Sequence, residues 1–230
     1  MEIRLDSSYF DTIAIVASAL LLLSYYLFLM VRVRRNPDFT IHAINQRARF
    51  LWVAEVMNNP GKEILAVQTI RNFVMAASFK GSSAVLLILG TLTLSSQAES
   101  MAKTWHVLSS SGSQATEWWI VKIILLLTVL IVAFFSFSTV IRLLNHVVFM
   151  ISLPHAEAHG MLSTKNIAQR LNRAGFFYRI GMRAFFITVP LAFWLFGPIF
   201  LVAATIGLVL VLYHLDRNPL AERRELDAAQ

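Results

Sequence analysis

Long apolar runs alternate with polar segments along the chain, and this alternation predicts the fold. Four runs are each long enough for a membrane-spanning helix, which needs about 20 mostly apolar residues. They cover about residues 12–31, 73–94, 118–144 and 184–213. The pattern therefore predicts an all-α, polytopic membrane protein with four transmembrane helices.

The polar segments between the runs are of two kinds. Residues 32–72 and 145–183 are basic connections, whereas residues 95–117 form a loop rich in Ser, Thr, Gln and Ala. Within the first connection, apolar residues recur at helical spacing from Ile41 to Val56. This predicts a short helix, either lying along the membrane surface or linking two spans in water. The whole chain, 1–230, is predicted to form one integral membrane domain.

The second and third apolar runs continue into the basic connections without a helix-breaking residue. Asn59 and Pro60 are typical of a helix cap and a first helical residue. The helix from Pro60 to Leu94 would be about 52 Å long, whereas a bilayer core is about 30 Å thick. The third helix is predicted to persist to Leu153. Both helices are expected to extend beyond the membrane into the cytoplasm.

The fourth run is also long for a single span. A straight helix over 184–213 would measure about 45 Å. Pro190 and the pair Gly197-Pro198 are the expected kink points.

The formal net charge of +7 is explained by topology. The two basic connections carry seven and five Lys or Arg, whereas the outer loop carries Lys103 and the amino end Arg4. Because Lys and Arg stay on the cytoplasmic side, both connections should face the cytoplasm. We expect a multi-pass protein of the cell (inner) membrane with both termini outside (periplasmic), and no nucleic-acid partner. The tail departs from this pattern with three arginines, but four acids accompany them.

Three cations and no acid lie between the predicted span boundaries: Lys80, Lys122 and Arg142. Charge inside a membrane is costly and marks a functional site by default. Proton relays and sodium sites use carboxylates, so this set argues against cation-coupled transport. It favours an anion, either a permeating one or a lipid headgroup. For Lys122 the favoured interpretation is a side chain that snorkels to the interface.

Further polar residues cluster at the predicted cytoplasmic ends of the second and third spans. Gln68, Arg71 and Asn72 share one helix face, and the planar fork of an arginine suits phosphate or carboxylate. A structural hydrogen-bond network that caps the bundle is the alternative. The candidate ligand-binding or pore-lining residues are Gln68, Arg71, Asn72, Lys80, Arg142, Asn145 and His146.

Catalysis and cofactors have little support in the sequence. Cysteine is absent, which excludes disulfides and thiolate metal sites. No phosphate-binding loop, nucleophile elbow or paired carboxylates appear. His155 and His159 are four residues apart and could share a metal, but two surface histidines are the favoured interpretation. No catalytic residue, metal or cofactor is predicted, and haem ligation by a pair of the six histidines is left open.

These observations lead to two hypotheses of function, with an enzyme third. The first is a homo-oligomeric pore or transporter for an anion, because four helices enclose little volume by themselves. The alternative is a non-catalytic scaffold that binds anionic lipid headgroups or a cytoplasmic partner. In the homo-oligomer the apolar residues of the helical extensions, including Ile64, Ile70, Val147 and Phe149, should be buried against each other and against neighbouring subunits.

Three motifs resemble a known family. They are ILAVQTIRN (Ile64 to Asn72), GMRAFF (Gly181 to Phe186) and WLFGP (Trp194 to Pro198). In these the chain is similar to a family of four-span bacterial and plant membrane proteins known as a domain of unknown function. The resemblance covers most of residues 10–215. It implies four membrane helices and implies no activity, substrate or cofactor.

Overall fold

The chain folds into helices over the residues that the structure describes. The structure is a computed structural model, and it describes residues 7–35, 40–59, 61–96, 116–153 and 159–217. Within these residues six α-helices follow one another: α1 (Ser7–Arg35), α2 (Ile41–Asn58), α3 (Glu63–Ser96), α4 (Thr116–Ile151), α5 (Thr164–Trp194) and α6 (Pro198–Asp216). A short 3-10 turn, Gly160–Leu162, precedes α5. The predicted all-α class is confirmed.

Five of these helices, all except α2, are long and apolar enough to cross a membrane. The predicted class of polytopic helical membrane protein is therefore confirmed, but the candidate spans number five instead of four. The short helix predicted from Ile41 to Val56 is also confirmed, because α2 covers Ile41–Asn58.

The extra span arises because the predicted fourth span, 184–213, is not one helix. Helix α5 ends at Trp194, and α6 begins at Pro198. Gly197 between them has φ 145°, a conformation that L side chains rarely adopt. Pro198 then starts α6, where its missing N–H costs no hydrogen bond. Pro190, the other expected kink point, lies inside α5 without ending it. With 19 residues, α6 measures about 28 Å and is long enough to span alone.

The turn between α2 and α3 also differs from its prediction. Asn59 does not cap α3, because its Nδ2 donates to the Glu55 carbonyl oxygen at 2.9 Å and so finishes α2. Gly61, with φ 97°, makes the turn, and its N–H donates to the Glu63 carboxylate at 2.8 Å. Helix α3 begins at Glu63, and Pro60 lies outside the described residues. From there α3 is continuous to Ser96, which confirms the predicted long helix.

The chain divides into two compact units. Unit 1 comprises Met1–Thr40, Leu86–Ile131 and Ala184–Gln230, and unit 2 comprises Ile41–Val85 and Val132–Arg183. Helices α3, α4 and α5 contribute residues to both units. The single membrane domain over 1–230 stays a prediction.

In unit 1, helices α1 and α6 lie side by side and run in the same direction. Ala14 belongs to a buried cluster that includes Leu201, and Tyr25 belongs to one with Leu208 and Leu212. Residue numbers thus increase together along both helices. Trp194 at the end of α5 is fully buried in the first of these clusters. The two helices therefore begin at one end of unit 1 and finish at the other.

Unit 2 packs parts of α2, α3, α4 and α5 around one apolar core. The buried residues in its part of α4 are spaced alternately by four and three positions, as in helices that pack side by side along their length. They are Ala133, Phe137, Val140, Leu144, Val147 and Ile151. Small residues on the neighbouring helices allow close approach. A Cβ at Gly181 would stand 2.9 Å from the Phe137 ring, so glycine is needed there.

Candidate functional site

The seven candidate site residues all belong to unit 2, where six are exposed on its surface and one is half-buried. Gln68, Arg71 and Asn72 are exposed on α3, whereas Ala66 and Ile70 on the same helix are buried in the core. Exposed residues on α4 form a second group: Arg142, Asn145 and His146. Lys80 is half-buried. None of the seven side chains is buried by the rest of the chain. Their roles as ligand-binding or pore-lining residues therefore stay predictions.

Lys122 does not snorkel to the interface, contrary to its favoured interpretation. It is buried in unit 1, with Nζ 3.1 Å from Oδ1 of Asp11, which is itself fully buried. The same carboxylate oxygen accepts a 2.7 Å hydrogen bond from Nε1 of Trp194. The Lys122 ammonium also lies 5.2 Å from the centroid of the Trp194 ring. These three residues, the unit 1 lock, join α1, α4 and α5.

Unit 1 contains a second buried carboxylate. The hydroxyl of Tyr25 donates to Oδ2 of Asp216 at 2.7 Å, and both residues are buried. Asp216 ends α6, where the helix dipole disfavours a negative charge, so a hydrogen-bond donor is needed there. The adjacent Arg217 forms a backbone bridge with Thr40, which directly precedes α2. The argument that no acid lies buried among the spans was therefore wrong.

Asp11 was missed because it lies one residue outside the assigned span. The signal was present in the sequence, since Asp11 continues the buried stripe of α1 at helical spacing. That stripe includes Ala14, Ser18 and Tyr25. Asp216 was missed in the same way, three residues beyond the assigned end of the fourth span. Both acids are paired with donors from other segments, so their geometry is that of helix-to-helix connections.

A different arrangement lies in unit 2, where α2 packs on α5. Asn172 Nδ2 donates to the Gln46 carbonyl oxygen at 3.3 Å. One turn further along both helices, the Arg49 guanidinium lies directly on Gly175. A Cβ there would overlap Nη1 and stand 2.7 Å from Cζ of Arg49. Glycine is therefore required for this guanidinium to reach α5.

Arg179 follows Gly175 by four residues and shares its helix face. Its Cζ lies 5.3 Å from the centroid of the Phe176 ring. Burial, and then the charge of Arg179, lowers the pKa of Arg49 from its ordinary value. In the part of the chain that the structure describes, no carboxylate forms an ion pair with Arg49. Because arginine does not lose its proton in proteins, both groups stay positively charged, and the charge of Arg179 acts on Arg49.

The two units differ sharply in charge. Unit 2 carries eleven Lys and Arg against three Glu, a formal charge of +8. Unit 1 carries nine Lys and Arg against ten Asp and Glu, a formal charge of −1. In unit 2, Glu55 already pairs with Lys62, and Glu63 accepts the Gly61 N–H. The net positive charge of the protein is therefore carried by unit 2.

The two histidines that could share a metal are His155 and His159. His155 lies outside the described residues, as does Glu157, and His159 is exposed before the 3-10 turn. Among the residues that are described, no group of three His, Asp or Glu could hold a metal ion.

Comparison with known proteins gives a family and no function. No curated protein and no solved structure matches the chain. A family model described as "Protein of unknown function, DUF599" matches residues 13–220. This match agrees with the resemblance carried by the three motifs. The matched residues include Lys122 on α4 and Trp194 on α5, and they also include Arg49 and Arg179. The chain belongs to the DUF599 family.

Proposed function

We propose that this is a five-span protein of the cell inner membrane with its amino terminus outside and its carboxyl tail in the cytoplasm. The parallel arrangement of α1 and α6 supports this topology. Helix α1 ends at Arg32, Arg34 and Arg35, which the positive-inside rule assigns to the cytoplasm. A parallel α6 then ends on the same side. This replaces the topology with both termini outside, and it brings the arginines of the tail to the side where the rule expects them.

Topology is tested by labelling single cysteines in intact cells. The chain has no cysteine of its own, so each introduced thiol reports one position. Ser8→Cys should react with a membrane-impermeant maleimide, and Ala228→Cys should react only after the cells are opened. Labelling of Ala228→Cys in intact cells would refute the five-span topology and support four spans.

We further propose that the protein acts on anions as a homo-oligomeric pore or transporter. The observation that carries this proposal is the charge of unit 2, which has eleven basic residues and three acids. A surface with one sign of charge raises the local concentration of ions of the opposite sign. The polar residues on the outer face of α3 support an assembly, because charged groups at membrane depth normally face protein or water. In a single chain Arg71 and Asn72 are exposed.

A second copy could cover this face. Apolar side chains of the same unit are also exposed, including Ile64 at 72% and Phe149 at 77%. Burying apolar surface that would otherwise face water is worth about 25 cal/mol per Å². Copies packed through α3 and α4 would bury these residues and enclose Arg71, Lys80 and Arg142 between them.

Flux into liposomes tests the proposed activity. The purified protein should pass chloride or phosphate, and Lys80→Ala or Arg71→Gln should slow it by about 10-fold, the effect of losing about 1.4 kcal/mol of favourable interaction. Lys165→Ala, at an exposed position in the first turn of α5, is the control and should leave flux unchanged. Absence of anion flux, or equal flux in all variants, would refute a pore or transporter.

A scaffold that binds anionic lipids is the second candidate, favoured by the surface of α2. Phe50 and Leu51 are 42% and 59% exposed beside the exposed Arg47. Such mixed apolar and basic surfaces lie at membrane interfaces, where each Lys or Arg contributes about 1 kcal/mol of attraction to anionic lipid. Retention of anionic lipid by a protein without flux would favour this candidate, and native mass spectrometry measures it.

A further inference from the structure

The contact between α2 and α5 in unit 2 has features that the packing of two helices does not require. Arg49 reaches across to Gly175, and its guanidinium occupies the space that a Cβ of residue 175 would need. Arg179 lies one helical turn away on the same face of α5. Two cationic groups are thus brought together, although repulsion between like charges opposes it.

A polar atom one helical turn before Gly175 on α5 also lacks a partner. Asn172 lies three residues before Gly175 on the same face of α5. Its Oδ1 is buried and has no hydrogen-bond partner among the described residues. Buried polar atoms are nearly always paired with protein or with an ordered water or ligand. The site therefore offers guanidinium donors and one vacant acceptor.

We infer that Arg49 and Arg179 form a recognition site for a phosphate monoester group, which narrows the anions of the proposed function to one chemical class. The group carries a charge of about −1.5 to −2 at pH 7 and three acceptor oxygens. It therefore matches two guanidinium charges, whereas a carboxylate carries a single charge that one arginine fork satisfies. The singly protonated form also has an O–H that can donate to Asn172 Oδ1.

The position of each residue gives it a separate part in recognition. Arg49 supplies a planar pair of donors from α2, and Gly175 sets its distance from α5. Arg179 supplies the second charge, with its guanidinium over the face of Phe176, an arrangement that holds the planar group in one orientation. A bound phosphate would connect α2 to α5 and neutralise the repulsion between the two arginines.

Binding assays on the purified protein in nanodiscs test the inference. Inorganic phosphate is the free probe, since it has the charge and the terminal oxygens of a monoester, and nanodiscs containing phosphatidic acid present a phosphate monoester on a lipid. Nanodiscs of phosphatidylglycerol, a singly charged diester, and acetate, a singly charged carboxylate, serve as comparisons. Binding of inorganic phosphate assigns a free ligand, and binding of phosphatidic acid alone assigns a lipid. Either result supports the site, whereas equal binding of phosphate and acetate would overturn it.

Variants at matched positions distinguish binding at the Arg49 and Arg179 site from non-specific attraction to the positive charge of the protein. Arg49→Gln should weaken binding of the monoester at least about 10-fold, because hydrogen bonds to charged groups are lost. Lys165→Gln removes an exposed charge from α5 and should change binding less than about 2-fold. Arg49→Lys keeps the charge but loses the fork, so it should fall between the two. Equal loss in Arg49→Gln and Lys165→Gln would overturn the inference.

Folding of the variants is checked by thermal melting without phosphate. Arg49→Gln should melt no lower than the wild type, because it relieves repulsion. Added phosphate should raise the melting temperature of the wild type and leave that of Arg49→Gln unchanged. This inference rests on the proposed anion function but fails separately from it. Binding without flux would refute the pore or transporter alone, and flux without monoester binding would refute this site alone.

Discussion

The two units of this protein treat ionised side chains in opposite ways. Unit 1 encloses few charges and pairs them: the buried ammonium of Lys122 meets the buried carboxylate of Asp11, and Asp216 receives the hydroxyl of Tyr25. Unit 2 has a formal charge of +8, and the charge of Arg179 acts on Arg49, which forms no ion pair with a carboxylate among the described residues. The contrast separates buried ionised groups that connect helices by meeting a partner from a unit whose charge is almost all of one sign.

The largest effect should come from breaking the unit 1 lock. Lys122→Met leaves the Asp11 carboxylate buried without its ion-pair partner, and we expect a loss of about 3–5 kcal/mol in free energy of unfolding. Unfolding by SDS in mixed micelles measures it, with the exposed Lys165→Met as control. Adding Asp11→Asn to Lys122→Met should recover most of the loss, because the amide oxygen still accepts from Trp194. Additive losses in the double variant would contradict the role of Asp11 and Lys122 as a pair.

A smaller effect is expected at the break between α5 and α6, which decides the number of spans. Gly197→Ala should lower the free energy of unfolding by about 1–3 kcal/mol, because φ 145° strains any residue with a Cβ. Gly207 lies inside α6 with open space around it, so Gly207→Ala should raise stability by up to about 1 kcal/mol. The two substitutions should thus act with opposite signs in the same micelle assay. A neutral Gly197→Ala would indicate that α5 and α6 are continuous.

The hydrogen bond between Tyr25 and Asp216 offers a third comparison. Tyr25→Phe removes the donor from a buried carboxylate and should lower the free energy of unfolding by about 1–3 kcal/mol. Tyr9→Phe, on the same helix but 60% exposed, should leave the free energy of unfolding almost unchanged. Urea or SDS titration of both variants compares them directly. Equal stability of the two would mean that Asp216 is held by other groups.

Prediction from sequence succeeded where hydrophobicity alone determines the structure. The helices and their approximate bounds follow from apolar runs, because lipid and water separate residues by polarity. At Gly197-Pro198 the sequence predicts a kink within one helix, whereas the structure has a turn between two helices. The length of the apolar run cannot distinguish a kink from a turn, since a turn requires that the 19 residues of α6 span the membrane alone.

The polar contacts were predicted less well, and for a physical reason. Asp11 was excluded by a boundary drawn from hydropathy, although its position in the buried stripe of α1 marked it. Arg49 and Arg179 are 130 positions apart in the chain, and no local pattern joins them. A glycine inside a basic helix, at Gly175, was the available signal, because glycine there costs helix stability and needs a packing reason.

The interaction energy between Arg49 and Arg179 tests the central contrast most directly. It is obtained from unfolding free energies of Arg49→Gln, Arg179→Gln and the double variant, with and without saturating inorganic phosphate. Without phosphate the two arginines should disfavour each other by a few tenths to about 1 kcal/mol, as close like charges at a partly exposed site do. With phosphate the interaction should become favourable. An interaction energy of the same sign and size under both conditions would contradict the account, since the arginines would then not share an anion.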